Sequence, residues 1–202
     1  MELVIISDTH GHHDKVPLPD GDVLIHCGDV CGMSDEISVR NFARWFDRQP
    51  HKHKIVIAGN HDKHMSEKWF NNSRYLQDSG FEINGTYFYG SPWTPTFFDW
   101  YWMKDRGNDI AERWNKIPDK TDVLITHGPA SNTGMLSRTT HRVDAGCEDL
   151  EQAIKRVRPT LHCFGHIHEG YGIHRKEGLE YINASICTLD YNPKNAPVLF
   201  TI

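Results

Sequence analysis

The chain has 202 residues and a net charge of −5, and no run of Lys or Arg stands out along it. Charged residues make up 24% of the sequence and hydrophobic residues 38%, an ordinary balance for a globular protein. A protein that binds duplex nucleic acid normally shows a basic stripe, so this composition argues against duplex nucleic acid as the main partner. The length suits a single domain, residues 1–202, with a core that needs no disulfide or structural metal.

Short apolar runs of strand length alternate with helical segments along the chain, and this pattern predicts an α/β fold. In chain order, the predicted strands are Leu3–Ile6, Val23–Ile25, Ile55–Ala58, Thr86–Tyr89, Val123–Ile125, Leu161–Phe164, Tyr181–Ala184 and Val198–Ile202. Two histidines belong to these apolar patterns: His26 directly follows the second strand, and His162 lies in the sixth. We interpret these two histidines as partly buried, hydrogen-bonded side chains.

Three helices are predicted between the strands. The first begins at an N-cap, Ser34, and continues to about Gln49, before Pro50. Its buried face is predicted to consist of Ile37, Phe42, Trp45 and Phe46. The second helix runs from about Gly107 to Lys116 with Ile110 and Trp114 inward, and the third runs from about Glu148 to Arg158.

The sequence also bears on the cellular compartment. The first strand begins close to the amino terminus, which leaves no room for a signal peptide, and the apolar stretches are far shorter than the roughly 20 residues of a membrane span. The cysteines are odd in number and form no C-x-x-C pair: Cys27, Cys31, Cys147, Cys163 and Cys187. We therefore expect buried, reduced thiols, a cytoplasmic protein and no membrane partner.

Five of the predicted strands are followed at once by residues of types that bind metal ions. These residues are Asp8, His10, Asp29, Asn60, His127, His166 and His168. In an open α/β sheet, ligands bind outside the carboxyl ends of the strands, so side chains at five such ends can converge on one point. The repeated placement is hard to obtain by chance.

The chemistry of this set indicates two metal ions. Seven protein ligands are too many for one first-row metal, but they suit two metals that share a bridging carboxylate. Mixed oxygen and nitrogen ligands without thiolate favour Mn, Fe or Zn over Ca or a structural Zn–Cys site. Two divalent ions, two aspartates and a bridging hydroxide leave the centre at about +1, which suits an anionic phosphate ester.

The motifs resemble those of a known superfamily. D-x-H at Asp8, G-D at Gly28, G-N-H-D at Gly59, H-G at His127 and G-H-x-H at Gly165, in this order, look like the calcineurin-like metallophosphoesterases. The segments 90–93, 126–129, 164–172 and 182–185 closely resemble one branch, the metallophosphoesterase domain-containing proteins.

The resemblance implies a four-layer α/β/β/α sandwich of two mixed β-sheets flanked by helices. It also implies a ligand assignment. Asp8, His10 and His168 would hold the first metal, and Asn60, His127 and His166 the second, with Asp29 bridging. His61 would face the phosphate or the leaving oxygen, and Asp62 would orient the His61 ring.

The substrate contacts are less defined by the sequence. The polar segment 128–146 follows a ligand motif directly and is a candidate active-site loop, in which Arg138 or Arg142 could clamp a phosphate. Trp93 and Tyr171 are candidates for stacking on a nucleobase. For each arginine the alternative is a solvated surface side chain, and for the aromatic residues it is core or lid packing.

The function predicted from these residues is a dinuclear phosphodiesterase that hydrolyses small phosphate esters, including nucleotides or cyclic nucleotides. Hydrolysis would proceed by attack of a metal-bridging hydroxide, with Mn²⁺ as the favoured metal and Fe or Zn as alternatives. Three rivals remain open: a protein or nucleotide phosphomonoesterase, a nuclease, and a binding or scaffold protein with a residual metal site.

Overall fold

A computed structural model describes residues 1–32 and 35–202 of the chain. Within these ranges the strands are β1 Glu2–Ile6, β2 Val23–His26, β3 His53–Val56, β4 Arg74–Tyr75, β5 Ser79–Ile83, β6 Thr86–Ser91, β7 Thr94–Pro95, β8 Met103–Lys104, β9 Val123–Thr126, β10 Leu161–Phe164, β11 Gly172–Lys176, β12 Leu179–Asn183 and β13 Val198–Thr201. The α-helices are α1 Glu36–Asp47, α2 Asn108–Trp114 and α3 Glu148–Val157. All the strands and helices predicted from the sequence are present, with ends shifted by a few residues.

The strands form two large mixed sheets and one small one. The first sheet has the order β13-β1-β2-β3-β4, in which only β13 runs antiparallel to its neighbour. The second has the order β11-β12-β10-β9-β6-β5, with parallel pairing from β12 to β6 and antiparallel hairpins at both edges. Strands β7 and β8 pair with each other in a short two-stranded ribbon.

The central core lies between the two large sheets. Alternate residues of β1, β2 and β3 face alternate residues of β9, β10 and β12, as the two-residue period of a strand requires. Among them, Ile5, Ile25 and Ile125 are completely buried. These strands are apolar on both faces, which explains why the sequence shows continuous apolar runs rather than alternation.

The opposite face of each sheet is covered by helices. Val4, Leu24 and Val56 of the first sheet pack on α1, and Leu124 and Phe164 of the second pack on α2 and α3. The order of layers is therefore helix, sheet, sheet, helix, and the four-layer α/β/β/α sandwich is confirmed.

Helix α1 differs from its prediction in two details. The predicted N-cap, Ser34, lies outside the described residues; in the structure the Asp35 side chain accepts a hydrogen bond from the Ser38 amide at 2.8 Å. Ile37, predicted to be buried, is 71% exposed. The buried stripe is instead Val39, Phe42, Ala43 and Phe46. Ile37 lies about 140° around the helix from Phe42, because each residue turns the chain by about 100°.

The carboxyl ends of the two sheets meet at one place. Ser7, just after β1, forms a parallel bridge with Ser185, just after β12, and the Ser7 amide donates to the Ala184 carbonyl at 2.9 Å. This bridge joins the first sheet to the second where the motif residues emerge.

No α-helix in the described part of the chain is long and apolar enough to span a bilayer.

Candidate metal centre and active site

The structure brings the predicted ligands together at the junction of the two sheets. His10 Nε2 lies 3.2 Å from His168 Nε2, and His127 Nε2 lies 2.9 Å from Asn60 Oδ1. The Asp29 carboxylate stands between the two pairs, with Oδ2 3.7 Å from His10 Nε2 and 3.4 Å from His127 Nε2. Two of the groups suited to a metal ion in the described chain are Asp8-His10-His168 and Asp8-Asp29-His127.

Each carboxylate is anchored through one oxygen and presents the other to the centre. Asp8 Oδ2 accepts from the His166 amide and the Ser185 hydroxyl, both at 2.9 Å, while Asp8 Oδ1 is buried 3.3 Å from His168 Nε2 and makes no well-formed hydrogen bond in the described structure. Asp29 Oδ1 accepts from the His61 amide at 2.8 Å. A buried oxygen left in this way costs free energy unless a cation or donor satisfies it, so the arrangement fits metal binding.

The imidazoles are oriented for the same purpose. His127 Nδ1 lies 2.9 Å from the Cys27 carbonyl oxygen, and His168 Nδ1 lies 3.0 Å from the Thr188 carbonyl oxygen. A carbonyl can only accept, so Nδ1 carries a proton in both rings and Nε2 is the atom that faces the centre, where it can bind a metal ion once it has lost its own proton. Backbone carbonyls commonly fix the tautomer of metal-ligating histidines in this way.

The backbone at the centre is tightly folded. Asp8, His10, Asp29 and His166 have φ between 43° and 67°, a left-handed conformation that is unfavourable for residues other than glycine. A Cβ at Gly165 would lie 1.9 Å from Asp8 Oδ2. Strain at ligand positions indicates that the surrounding structure holds them in place for a purpose beyond folding.

Burial and mutual charge shift the pKa values of the site residues. Burial, followed by the charge of His127, lowers the pKa of His166 to about 3, so its imidazole is in the neutral form that binds metal. For His127, burial acts to lower the pKa, but Asp29 overcomes it and raises the pKa to about 9. For Asp29, burial acts to raise the pKa, but the neighbouring histidines keep it below the usual range. The carboxylates are therefore charged at neutral pH.

His61 lies at the centre, but Asp62 is placed differently from what was predicted. His61 is at the centre, with Nε2 4.0 Å from Asp29 Oδ2, but its Nδ1 lies 2.8 Å from the carbonyl oxygen of Gly32. The Asp62 carboxylate accepts instead from the amides of Val30, Cys31 and Gly59 at 2.8–3.2 Å. The prediction that Asp62 orients the His61 ring is therefore wrong. Asp62 clamps together the loops that follow β2 and β3, because backbone amides surround it.

Two buried histidines support the centre from behind. His26 Nε2 lies 2.9 Å from Thr9 Oγ1, and His162 Nε2 lies 2.8 Å from Thr126 Oγ1, and both rings are completely buried. Thr9 and Thr126 immediately precede the ligands His10 and His127. Each sheet thus holds one ligand-bearing turn through a His–Thr pair on the adjacent strand, and the prediction of hydrogen-bonded buried histidines is confirmed.

The predicted aromatic contacts are not at the centre. Trp93 donates from Nε1 to both oxygens of Asp78 at 3.0 Å, and Arg113 covers its ring at 4.5 Å. Tyr171 packs on the central core, and its hydroxyl donates to the Ala196 carbonyl at 2.9 Å. Both rings are committed to structural contacts, because their polar groups find partners away from the metal ligands.

The predicted active-site loop 128–146 also lies aside. Arg138 and Arg142 are exposed, and Arg138 donates to the backbone of Arg142. Leu136 is buried against the outer face of the second sheet. The loop is packed on α3 and the second sheet, so neither arginine lines the cleft above the ligands.

The cleft above the ligands has a volume of about 620 Å³. Besides ligand residues and His61, it is lined by Phe97, Phe98, Asp99, Trp100, Leu189 and Tyr191. The sequence reasoning missed these residues as site residues. The aromatic density of 87–102 was visible in the sequence and could have pointed to the first four, whereas 189–191 carries no comparable signal.

The protein can now be compared with known ones. The family model described as calcineurin-like phosphoesterase matches residues 1–170. This chain belongs to the calcineurin-like phosphoesterase family. It is 37% identical to human metallophosphoesterase domain-containing protein 1 over 99% of this chain and 70% of that protein. It is 35% identical to a UPF0046 protein of Caenorhabditis elegans over 100% of this chain and 75% of that protein.

Several solved structures share the fold at low sequence identity. Phosphopantetheinyl hydrolase from Mycobacterium tuberculosis aligns with a TM-score of 0.63 and 14% identity, covering 97% of this chain and 95% of that one. GAP50, described as the anchor in the inner membrane complex of Plasmodium, aligns with a TM-score of 0.53 and 10% identity, covering 92% of this chain and 71% of that one. The calcineurin-like family implies a dinuclear site for divalent ions and a metal-dependent phosphoester hydrolase, and the ligand clusters described above are consistent with both.

Proposed function

We propose that this protein is a phosphodiesterase that hydrolyses small phosphate esters with two divalent metal ions. Mn²⁺ is the favoured metal at both positions. The observation that carries the proposal is the meeting of ligand side chains from both sheets around Asp29. Asp8, His10 and His168 would hold one ion. Asn60, His127 and His166 would hold the other, and the Asp29 carboxylate would contact both.

The ligand set fixes the charge of the centre. When bound, two divalent ions supply Lewis-acid catalysis and neutralise the charge of a phosphate. Only two of the seven ligands, Asp8 and Asp29, carry a formal negative charge. The loaded centre is therefore positive and attracts an anionic ester rather than a neutral one.

His61 is placed to handle a proton. Its Nδ1–H is engaged by the Gly32 carbonyl, so Nε2 is the atom directed into the centre. With Nε2 protonated, the ring can donate to the oxygen of the departing alcohol. With Nε2 neutral, it could instead ligate a metal, since His10, Asp29 and His61 also form a possible metal group. We propose the first role.

The charge of the cleft favours diesters. None of the described residues that line it is Lys or Arg, and two are acidic, Asp29 of the centre and Asp99. A monoester dianion would gain from an additional cationic clamp, whereas a diester carries a single negative charge and needs none. The same feature argues against a phosphopeptide or a polynucleotide as substrate, because both bring several negative charges.

The scaffold alternative is disfavoured because every ligand position of the family motifs is retained.

We place the protein in the cytoplasm, on the basis of its buried cysteines and the lack of a disulfide among the described residues.

The first test is metal content. Purified protein incubated with Mn²⁺ and desalted should hold about two ions per chain by elemental analysis, and removal with a chelator should abolish hydrolysis. A ceiling of one ion per chain under all loading conditions would contradict the dinuclear centre.

The second test is ester charge with the leaving group held constant. The metal-loaded protein should hydrolyse methyl p-nitrophenyl phosphate at least as well as p-nitrophenyl phosphate, judged by kcat/KM. Phosphoserine peptides should be poorer than both. A clear preference for the peptides would support the protein-phosphatase alternative.

A further inference from the structure

Two loops that carry no candidate metal ligand place aromatic side chains around the centre. Residues 97–100 lie between β7 and β8, and residues 189–191 follow β12; we call these two segments the aromatic walls of the cleft. We infer that these walls hold a flat aromatic group of the phosphate ester, which makes the protein selective for aromatic monoanionic diesters. This inference rests on the proposed function.

The aromatic rings of the walls contact the histidine rings of the centre. The Trp100 ring centroid lies 4.2 Å from that of His61, with an angle of 33° between the ring planes. The Phe97 ring lies 5.1 Å from His166, and the Tyr191 ring lies 4.8 Å from His10. A group attached to a phosphate at the centre would therefore meet an aromatic surface on each of these sides.

The first loop is fixed to the ligand motif rather than merely near it. The Tyr101 amide donates to the Asn60 carbonyl at 3.2 Å, and Trp102 Nε1 donates to the Asp62 carbonyl at 2.9 Å. The Thr94 amide closes the base of the loop on the Trp102 carbonyl at 3.0 Å. A wall held in this way is preorganised, which reduces the entropy lost when a ligand binds.

Packing alone does not explain these aromatic residues. Phe98 is 90% exposed, Tyr191 is 48% exposed and Trp100 is 37% exposed. Rings that only stabilise the fold bury their faces, whereas here the open faces line a cleft of about 620 Å³, a size that suits a small organic ligand. Phe98 and Tyr191 also have positive φ, of 47° and 56°, so the backbone is strained where the rings are presented.

The charge of the cleft completes the substrate class. Stacking accepts any flat ring, but Asp99 and the lack of Lys or Arg among the described lining residues disfavour further phosphate groups. A neutral aromatic group on a single phosphodiester satisfies both conditions. A nucleoside diphosphate or triphosphate does not.

The test measures binding, separately from turnover. Dissociation constants of methyl phenyl phosphate and dimethyl phosphate are measured by calorimetry on the metal-loaded protein. Both esters are monoanions, and both have poor leaving groups. We expect the phenyl ester to bind about tenfold more tightly, the scale of a good aromatic contact.

Three variants locate the effect. Trp100→Leu and Phe98→Ala should each reduce the preference for the phenyl ester while leaving the affinity for dimethyl phosphate within about twofold, since only ring contacts are removed. Phe98 is nearly fully exposed, so its replacement leaves folding intact even if Trp100→Leu does not fold. Trp69→Leu is the matched control, because Trp69 lies outside the cleft, where Arg40 covers its ring at 4.9 Å.

The outcomes separate this inference from the proposed function. Equal affinity for the two esters, or a preference that survives both cleft substitutions, overturns the aromatic subsite. If methyl p-nitrophenyl phosphate is still hydrolysed in that case, the phosphodiesterase proposal stands. Failure of every ester to bind or react with the metal-loaded protein would overturn both.

Discussion

Asp29 is the residue on which the centre depends most. Its Oδ1 holds the His61 amide, and its Oδ2 lies between His10 and His127, so one side chain links ligands from both sheets. His61 is equally close to the centre, yet its ring is oriented by a backbone carbonyl. The two residues should therefore differ in what they do when replaced.

We expect Asp29→Asn to lose metal and His61→Gln to keep it. The asparagine retains an oxygen for the His61 amide but removes the negative charge that both ions would share. Metal affinity should therefore fall at both sites, and turnover should fall on every ester. His61→Gln should still hold about two ions. It should lose about 10²–10⁴-fold in turnover on an unactivated ester and much less on a nitrophenyl ester, whose leaving oxygen needs no proton.

Elemental analysis and kcat on an activated and an unactivated ester decide between these outcomes. Asp20→Asn, at an exposed loop position, serves as the control for loss of a carboxylate. If His61→Gln loses metal as severely as Asp29→Asn, His61 is a ligand and the assignment must be redrawn.

His162 should make stability depend on pH. Burial lowers the pKa of His162 from its ordinary value of 6.5 to about 3. Between these values the unfolded chain binds a proton at this position and the folded chain does not, so lowering the pH favours unfolding by up to about 1.4 kcal/mol per pH unit. The free energy of unfolding, measured in urea, should fall more steeply between pH 6.5 and pH 4.5 for the native protein than for His162→Gln. Parallel slopes would show that His162 is protonated when folded.

At the scale of elements, α1 shows how local signals compete. The sequence predicted Ser34 as the N-cap, whereas the described cap is Asp35, whose side chain accepts from the Ser38 amide. The same turn places Ile37 in solvent and Val39 in the core. The helix is oriented by the strip that fits the first sheet, because burial of Phe42 and Phe46 contributes more than burial of one isoleucine.

Asp35→Ala should destabilise the protein by about 1 kcal/mol, the usual effect of removing an N-cap side chain. The measurement is the free energy of unfolding in urea at pH 7, with Asp20→Ala as an exposed control that makes no cap. Metal content should not change, since α1 packs on the face of the first sheet away from the second. An unchanged unfolding free energy would show that Asp35 does not cap the helix.

At the scale of the whole molecule, the two sheets enclose one core and meet at one edge. That core contains Cys27 and Cys163, and all five cysteines of the chain are buried thiols. Burial raises the pKa of Cys27, and it raises that of Cys187 to about 12. Thiolate, the reactive form, is therefore scarce at these two residues in the folded protein.

Thiol titration should reflect this burial. A chromogenic disulfide reagent should react slowly with the native protein and should count five thiols in denaturant without reductant. The control is a sample reduced first and then desalted, which should give the same count. A stable count of three or one would mean that disulfides had formed.

The sequence by itself determined the elements and the candidate ligand set. Apolar runs of strand length identified the core strands, and each of the five motifs placed at least one candidate ligand after a strand end. These features are local, because a strand and the residue that follows it are adjacent in the chain, and the parallel connection brings such ends to one edge. The buried roles of His26 and His162 followed from the same patterns.

Only the tertiary structure decided which other residues share the cleft. The sequence analysis named Trp93 and not Trp100 as a stacking residue, but Asp78 and Arg113 hold Trp93 away from the centre, whereas Trp100 lies on His61. Tyr191 reaches the centre from the far end of the chain. The partners of Asp62 could likewise not be predicted locally, because the amides of Val30 and Cys31 come from the loop after β2. Contacts between distant segments depend on how two sheets pack, and that packing has no periodic signature in the chain.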